Sequence, residues 1–127
     1  MRPALFLALA LTAAPGVGHA AIMGTGPCEG LGVHAAWLDW GTGIVSVAVF
    51  NHTGDGRWPP RPIRFQLGYK HDGKIDAGGT RTLAPLRPVN VELFNYKTEV
   101  GDDFSGFQGE DLLQSGEIVF VECATGR

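Results

Sequence analysis

Hydrophobic and polar residues alternate with a period of two along several segments of this chain, a pattern typical of β-strands. Residues 63–70 alternate strictly, which predicts a strand with one buried face and one solvated face. Residues 44–50 carry no charge and are rich in β-branched side chains, which predicts a central strand buried on both faces. The Asp72-Gly73 pair favours a tight type I′ hairpin turn. Further short strands are predicted at residues 33–40, 74–77, 80–83, 89–94 and 117–123.

No segment after the N-terminal region keeps an apolar period of 3.6 residues, and Leu112-Leu113 predicts a short helical turn at most. About seven short strands separated by turns are typical of an immunoglobulin-like fold. We therefore predict an all-β protein, an antiparallel β-sandwich of the immunoglobulin-like kind. A small Greek-key β-barrel is the alternative.

The N-terminal residues have the order of features found in a secretory signal. Arg2 precedes an uncharged apolar run at residues 4–14, Pro15 and Gly16 break the run, and small residues surround Ala20. The run is shorter than the roughly 20 apolar residues that a membrane-spanning helix needs. We therefore expect a signal peptide at residues 1–20 and a single mature domain at residues 21–127, periplasmic or secreted and not inserted in a membrane.

The two cysteines, Cys28 and Cys123, lie near opposite ends of the expected mature chain. In an exported protein an even cysteine count indicates a disulfide, which here would close nearly the whole domain. Two free thiols or a metal site are the alternatives, although two sulfurs without suitably spaced histidines make a poor zinc site. We predict the Cys28–Cys123 bridge.

The charge balance excludes some partner classes. The chain has 10 Lys and Arg against 13 Asp and Glu, a net charge of −3 with histidines neutral. Nucleic acid and anionic membrane surfaces both select a concentrated basic face, so neither is an expected partner.

Residues that could carry chemistry are scattered along the chain. The histidines expected to remain after cleavage, His34, His52 and His71, fall in three separate segments without ligand spacing, which indicates scattered surface side chains and no metal site. Residues 99–111 form an acidic, glycine-rich loop that is interpreted as solvated, with calcium binding left open. No catalytic triad and no nucleotide-binding loop is present, so we expect neither enzyme activity nor a cofactor.

Residues 57–62 (Arg-Trp-Pro-Pro-Arg-Pro) form the segment that most favours a binding role. Prolines make the backbone rigid, and Trp and Arg are enriched at binding hot spots. We therefore name Arg57, Trp58 and Arg61 as candidate binding residues. Alternatively, Trp58 caps the core and the prolines protect an edge strand.

Residues 44–94 resemble a bacterial immunoglobulin-like domain of the CARDB kind. An apolar strand runs into Asn51-His52-Thr53-Gly54-Asp55, and a second strand, an Asp-Gly turn and a Leu-Ala-Pro segment at residues 83–85 follow. The longer residues 56–62 and the cysteine pair depart from that pattern. The resemblance implies a sandwich and a role in adhesion or assembly, and it transfers no catalytic residue.

Together these observations predict a non-enzymatic binding or assembly module that is exported to the periplasm or the cell exterior. The alternative is a small secreted inhibitor or chaperone of another exported protein. A protein or a glycan is the expected kind of partner.

Overall fold

The computed structural model describes residues 21–126, and the predicted signal peptide at residues 1–20 lies outside this range. Within residues 21–126 the chain forms eight strands, all paired antiparallel. In chain order they are β1 (Ile22–Met23), β2 (Leu31–Leu38), β3 (Ile44–Asn51), β4 (Ile63–His71), β5 (Lys74–Ala77), β6 (Arg81–Leu83), β7 (Pro88–Asn95) and β8 (Ile118–Thr125).

The strands form two sheets. The first sheet has the order β1-β2-β3-β7. In the second, β4 is central, with β8 on one side and both β5 and β6 on the other. The apolar side chains of both sheets meet in one buried cluster. The prediction of an all-β antiparallel sandwich is confirmed, because within residues 21–126 the strands make two separate sheets of four strands each and not a closed barrel.

Strand β3 shows how the sequence pattern produces the core. Val45, Val47 and Val49 point inward and are fully buried, whereas the alternate residues are only half-buried. The strand is central in its sheet, as predicted. The prediction that both faces are buried is wrong, because within residues 21–126 nothing covers the outward side chains of this strand completely.

The turn between β4 and β5 has the predicted geometry. Asp72 and Gly73 both have positive φ, 50° and 77°. Two successive positive φ angles define the type I′ turn, whose twist matches that of the paired strands. The local Asp-Gly signal therefore sets the register of this hairpin.

The disulfide between Cys28 and Cys123 is present, with Cα atoms 5.2 Å apart and a sequence separation of 95 residues. It joins a short 3-10 helix, Gly26–Cys28, to strand β8 of the second sheet. Closing a loop of this length in the unfolded chain is worth about 4–5 kcal/mol of stability in the chain-entropy account. That contribution is comparable to the whole stability of many small domains, roughly 5–15 kcal/mol.

The acidic segment at residues 99–111, predicted as a loop, contains more regular secondary structure than that prediction. It contains the 3-10 helix Phe104–Gly106 and the start of helix α2 (Gly109–Gln114), and helix α1 (Tyr96–Glu99) begins just before it. Leu112 and Leu113 are buried in the core cluster. These helices are too short to show a repeating apolar period. Within residues 21–126, no helix has the length and apolar character needed to span a bilayer.

Candidate functional site

The loop that carries residues 57–62 is fixed at its base by a buried asparagine. Asn51 is fully buried, and its Nδ2 donates to the carbonyl oxygens of Arg61 at 3.0 Å and Leu83 at 2.8 Å. Its Oδ1 accepts from the Thr53 amide at 2.9 Å and lies 2.7 Å from the Thr53 hydroxyl. One side chain thus ties the two ends of the loop to strand β6.

Arg61 is held by its own chain. Its amide donates to Thr53 Oγ1 at 3.1 Å, and its guanidinium Nη2 donates to the carbonyl oxygen of Glu29 at 2.9 Å. Glu29 directly follows Cys28, so this contact positions the loop against the disulfide. Of the three sequence-predicted binding residues, Arg61 is therefore the one that anchors the loop.

Arg57 and Trp58 form a pair at the tip of the loop. The carbon at the centre of the Arg57 guanidinium lies 4.5 Å from the centre of the Trp58 ring, and Trp58 is half-buried. The Arg57 side chain is 53% exposed, which leaves most of the cation open to a partner. A groove of about 390 Å³ adjoins this pair. Arg57, Trp58, Pro59 and Pro60 line it and are called the Arg57–Trp58 surface below.

Asp55 fixes the orientation of Arg57. Its carboxylate accepts from the Arg57 amide at 2.9 Å and from the guanidinium at 3.1 Å. The backbone hydrogen bond, followed by the side-chain hydrogen bond, lowers the pKa of Asp55 below its ordinary value. The aspartate is therefore ionised at neutral pH and available to hold the arginine.

Two histidines that are far apart in the sequence meet behind this loop. His34 Nε2 lies 2.8 Å from His52 Nε2, and His52 is only 5% exposed. His52 Nδ1 lies 3.9 Å from the Asp55 carboxylate, which connects the pair to the Arg57–Trp58 surface. The prediction of scattered surface histidines is wrong for these two.

A β-bulge explains how the histidine pair forms. The β2–β3 register shifts between Val33 and Ala35, so His34 is the extra residue on the outer face. Bulges re-aim side chains in this way. Phe50 packs edge-on to both imidazoles. No spacing rule in the sequence indicates a bulge at this position.

Burial lowers the pKa of both His34 and His52, and the charge of His34 lowers that of His52 further. Both rings are therefore neutral at pH 7, with one nitrogen donating and the other accepting. At neutral pH the two uncharged imidazoles are therefore joined by a hydrogen bond between their Nε2 atoms. Within residues 21–126, no group of three or more His, Cys, Asp or Glu side chains is arranged to hold a metal ion.

The remaining sequence candidates do not join this site. His71 Nε2 lies 3.0 Å from the Glu99 carboxylate, where β4 approaches helix α1. In the acidic segment, Asp103 accepts a hydrogen bond from the Ser105 amide and so caps a 3-10 helix. Glu110 and Asp111 lie in the first turn of α2. All three acidic residues therefore lie at the N-terminal ends of short helices.

The chain matches no protein-family model, no curated protein and no solved structure.

Proposed function

We propose that this chain is a non-enzymatic binding or assembly module that is exported to the periplasm or the cell exterior, and that it contacts a protein partner through the Arg57–Trp58 surface. The observation that carries the proposal is the preorganised pair of Arg57 and Trp58 on a loop with a buried base. A rigid loop loses little conformational entropy on binding. Trp and Arg are the side chains most enriched where interfaces derive their affinity.

Export is supported by two independent features. The disulfide is compatible with an oxidising compartment, where such bridges persist. The signal-like order of residues 1–20 supports the same compartment. Mass determination of the mature protein from a bacterial host, together with N-terminal sequencing, tests cleavage after Ala20.

The structure favours a protein that offers an acidic and apolar patch as the partner. Arg57 already forms an ion pair with Asp55, but its exposed guanidinium can still donate hydrogen bonds to a carboxylate of the partner. The prolines and the half-buried indole provide the apolar part of the surface. A secreted inhibitor or chaperone of another exported protein would use this loop too. The identity of the captured partner distinguishes that alternative function from a binding or assembly module.

The decisive experiment is affinity capture from the native host followed by titration of the purified partner. Trp58→Ala should weaken binding by about 30-fold or more, as a hot spot of about 2 kcal/mol implies. Trp40→Ala is the matched control, because Trp40 is 67% exposed and lies in a different turn. Equal affinities of wild type and Trp58→Ala would refute the proposed surface. Substrate turnover abolished by single substitutions in a folded protein would refute the non-enzymatic assignment.

A further inference from the structure

A second groove, with a volume of about 430 Å³, lies on the outer face of the first sheet. It shares no lining residue with the Arg57–Trp58 surface. Trp37 forms one wall and Ser46 lies in the floor. The opposite side, called the polar wall below, consists of Asn90, Glu92 and Arg81. We call the whole feature the sheet-face groove.

The strand register produces this groove. Trp37 on β2 pairs with Ser46 on β3, and Ser46 in turn pairs with Glu92 on β7. Directly paired residues share one face of a sheet, so a small serine lies between a large indole and a carboxylate. The next outward pair, Ala48 with Asn90, again places a small residue on the central strand. The small side chains of Ser46 and Ala48 therefore leave a trough in the middle of β3, between its two neighbouring strands.

The polar wall combines donors and acceptors without net charge. Arg81 comes from β6 of the other sheet, and its Nη1 donates to the Asn90 carbonyl oxygen at 3.3 Å. Within residues 21–126, neither Arg81 nor Glu92 takes part in an ion pair. A guanidinium, a carboxylate and an amide are thus available to hydrogen-bond one ligand, and their formal charges cancel.

Trp37 supplies a flat apolar surface beside these groups. Its side chain is 37% exposed although it belongs to a strand, and no aromatic ring among the described residues packs against it. Indole rings suit ligands that are apolar on one side and polar on the other. The groove volume lies at the low end of the roughly 300–1,000 Å³ range of small-molecule sites.

These features together select one ligand chemistry. A pyranose ring has an apolar face that stacks on an indole, and its hydroxyl groups both donate and accept at the ring edge. A phosphorylated or sulfated ligand would meet the Glu92 carboxylate as well as the Arg81 guanidinium and would gain no net charge attraction. We propose that the sheet-face groove binds a neutral glycan, with a sugar ring stacked on Trp37 and its hydroxyls bound by the polar wall.

The test is calorimetric titration of the purified, disulfide-bonded protein with a panel of neutral hexasaccharides of glucose, xylose, mannose and N-acetylglucosamine. At least one should bind, and Trp37→Ala should weaken that binding about tenfold, the scale of a lost ring contact. Trp40→Ala should leave the affinity unchanged, because Trp40 lies outside the groove and packs edge-on to Phe104. Trp58→Ala should also leave it unchanged, which separates this test from that of the proposed protein surface.

A second variant keeps the test valid if Trp37→Ala impairs folding. Ser46→Phe retains the indole but fills the trough, and it should abolish sugar binding in a protein with an unchanged circular dichroism spectrum. Failure of every neutral hexasaccharide to bind would overturn the proposal. Sugar binding that survives both Trp37→Ala and Ser46→Phe would also overturn the proposal. So would a groove that binds a peptide but none of the sugars.

Discussion

The buried side chain of Asn51 offers the sharpest test of how the candidate loop is held. Asn51→Ala removes the two hydrogen bonds that Nδ2 donates and the bond that Oδ1 accepts from the Thr53 amide. Three such bonds contribute about 1.5–4.5 kcal/mol in net terms. The Thr53 amide also loses its partner, and Thr53 is fully buried. An unsatisfied buried amide costs about 1–3 kcal/mol, so the two ranges add to about 2.5–7.5 kcal/mol. We expect a loss of about 3–5 kcal/mol, in the lower half of that range, because larger losses are exceptional for a single substitution.

Urea denaturation followed by tryptophan fluorescence and by circular dichroism measures this loss. For a domain of this size, a loss of about 3–5 kcal/mol lowers the melting temperature by well over 10 °C. Asn90→Ala is the control, because it removes the same side chain from an exposed position on β7 and should change stability by about 0.5 kcal/mol or less. A loss below about 1 kcal/mol for Asn51→Ala would show that the loop base does not depend on this network.

Two further predictions concern the histidine pair and the packing of helix α2. Because the pKa values of His34 and His52 are lowered in the folded state from 6.5, the unfolded chain takes up protons first, and stability should fall as the pH drops from 7 towards 5. The aspartates whose pKa values are lowered from 3.8 titrate below this window. Denaturation across a pH series should show a flatter profile for the double variant His34→Gln/His52→Gln than for the wild type. Equal slopes in the two proteins would contradict this reasoning. Gly109→Ala should destabilise by about 1–3 kcal/mol, because a Cβ there would overlap a backbone carbonyl of β2, whereas a Cβ at Gly79 meets nothing, so Gly79→Ala should melt at the wild-type temperature. If Gly109→Ala, Gly79→Ala and the wild type all melted at the same temperature, helix α2 would have to be able to move away from the sheet.

Local sequence features predicted much of the fold. The strict alternation at residues 63–70 corresponds to β4, residues 74–77 form β5 as predicted, and Asp72-Gly73 forms the expected turn. These features succeed because strand periodicity and turn geometry are decided by residues close together in the chain. The short helical turn predicted at Leu112-Leu113 corresponds to helix α2, whereas the 3-10 helix Phe104–Gly106 was not predicted, since a single helical turn has no repeating apolar period to detect.

The tryptophans show where local patterns are insufficient. The strand predicted at residues 33–40 would place Trp37 and Trp40 on opposite faces, with one ring in the core. Both are exposed, at 37% and 67%, because β2 ends at Leu38 and Trp40 belongs to the following turn. The predicted strand end was two residues too late, and this error alone would have placed the Trp40 ring in the core when it is exposed. Strand ends are the least certain part of such a prediction.

The sequence by itself determined the elements of this protein: antiparallel strands, a tight hairpin and a disulfide between the two cysteines. Only the tertiary structure decided which side chains meet. It brought His34 against His52 through a bulge, turned Arg61 towards Glu29, and placed Trp37 and Glu92 on either side of Ser46. The physical reason is that these contacts depend on register between strands that are distant along the chain. Register is set by the whole buried face and not by the residues that happen to lie opposite one another.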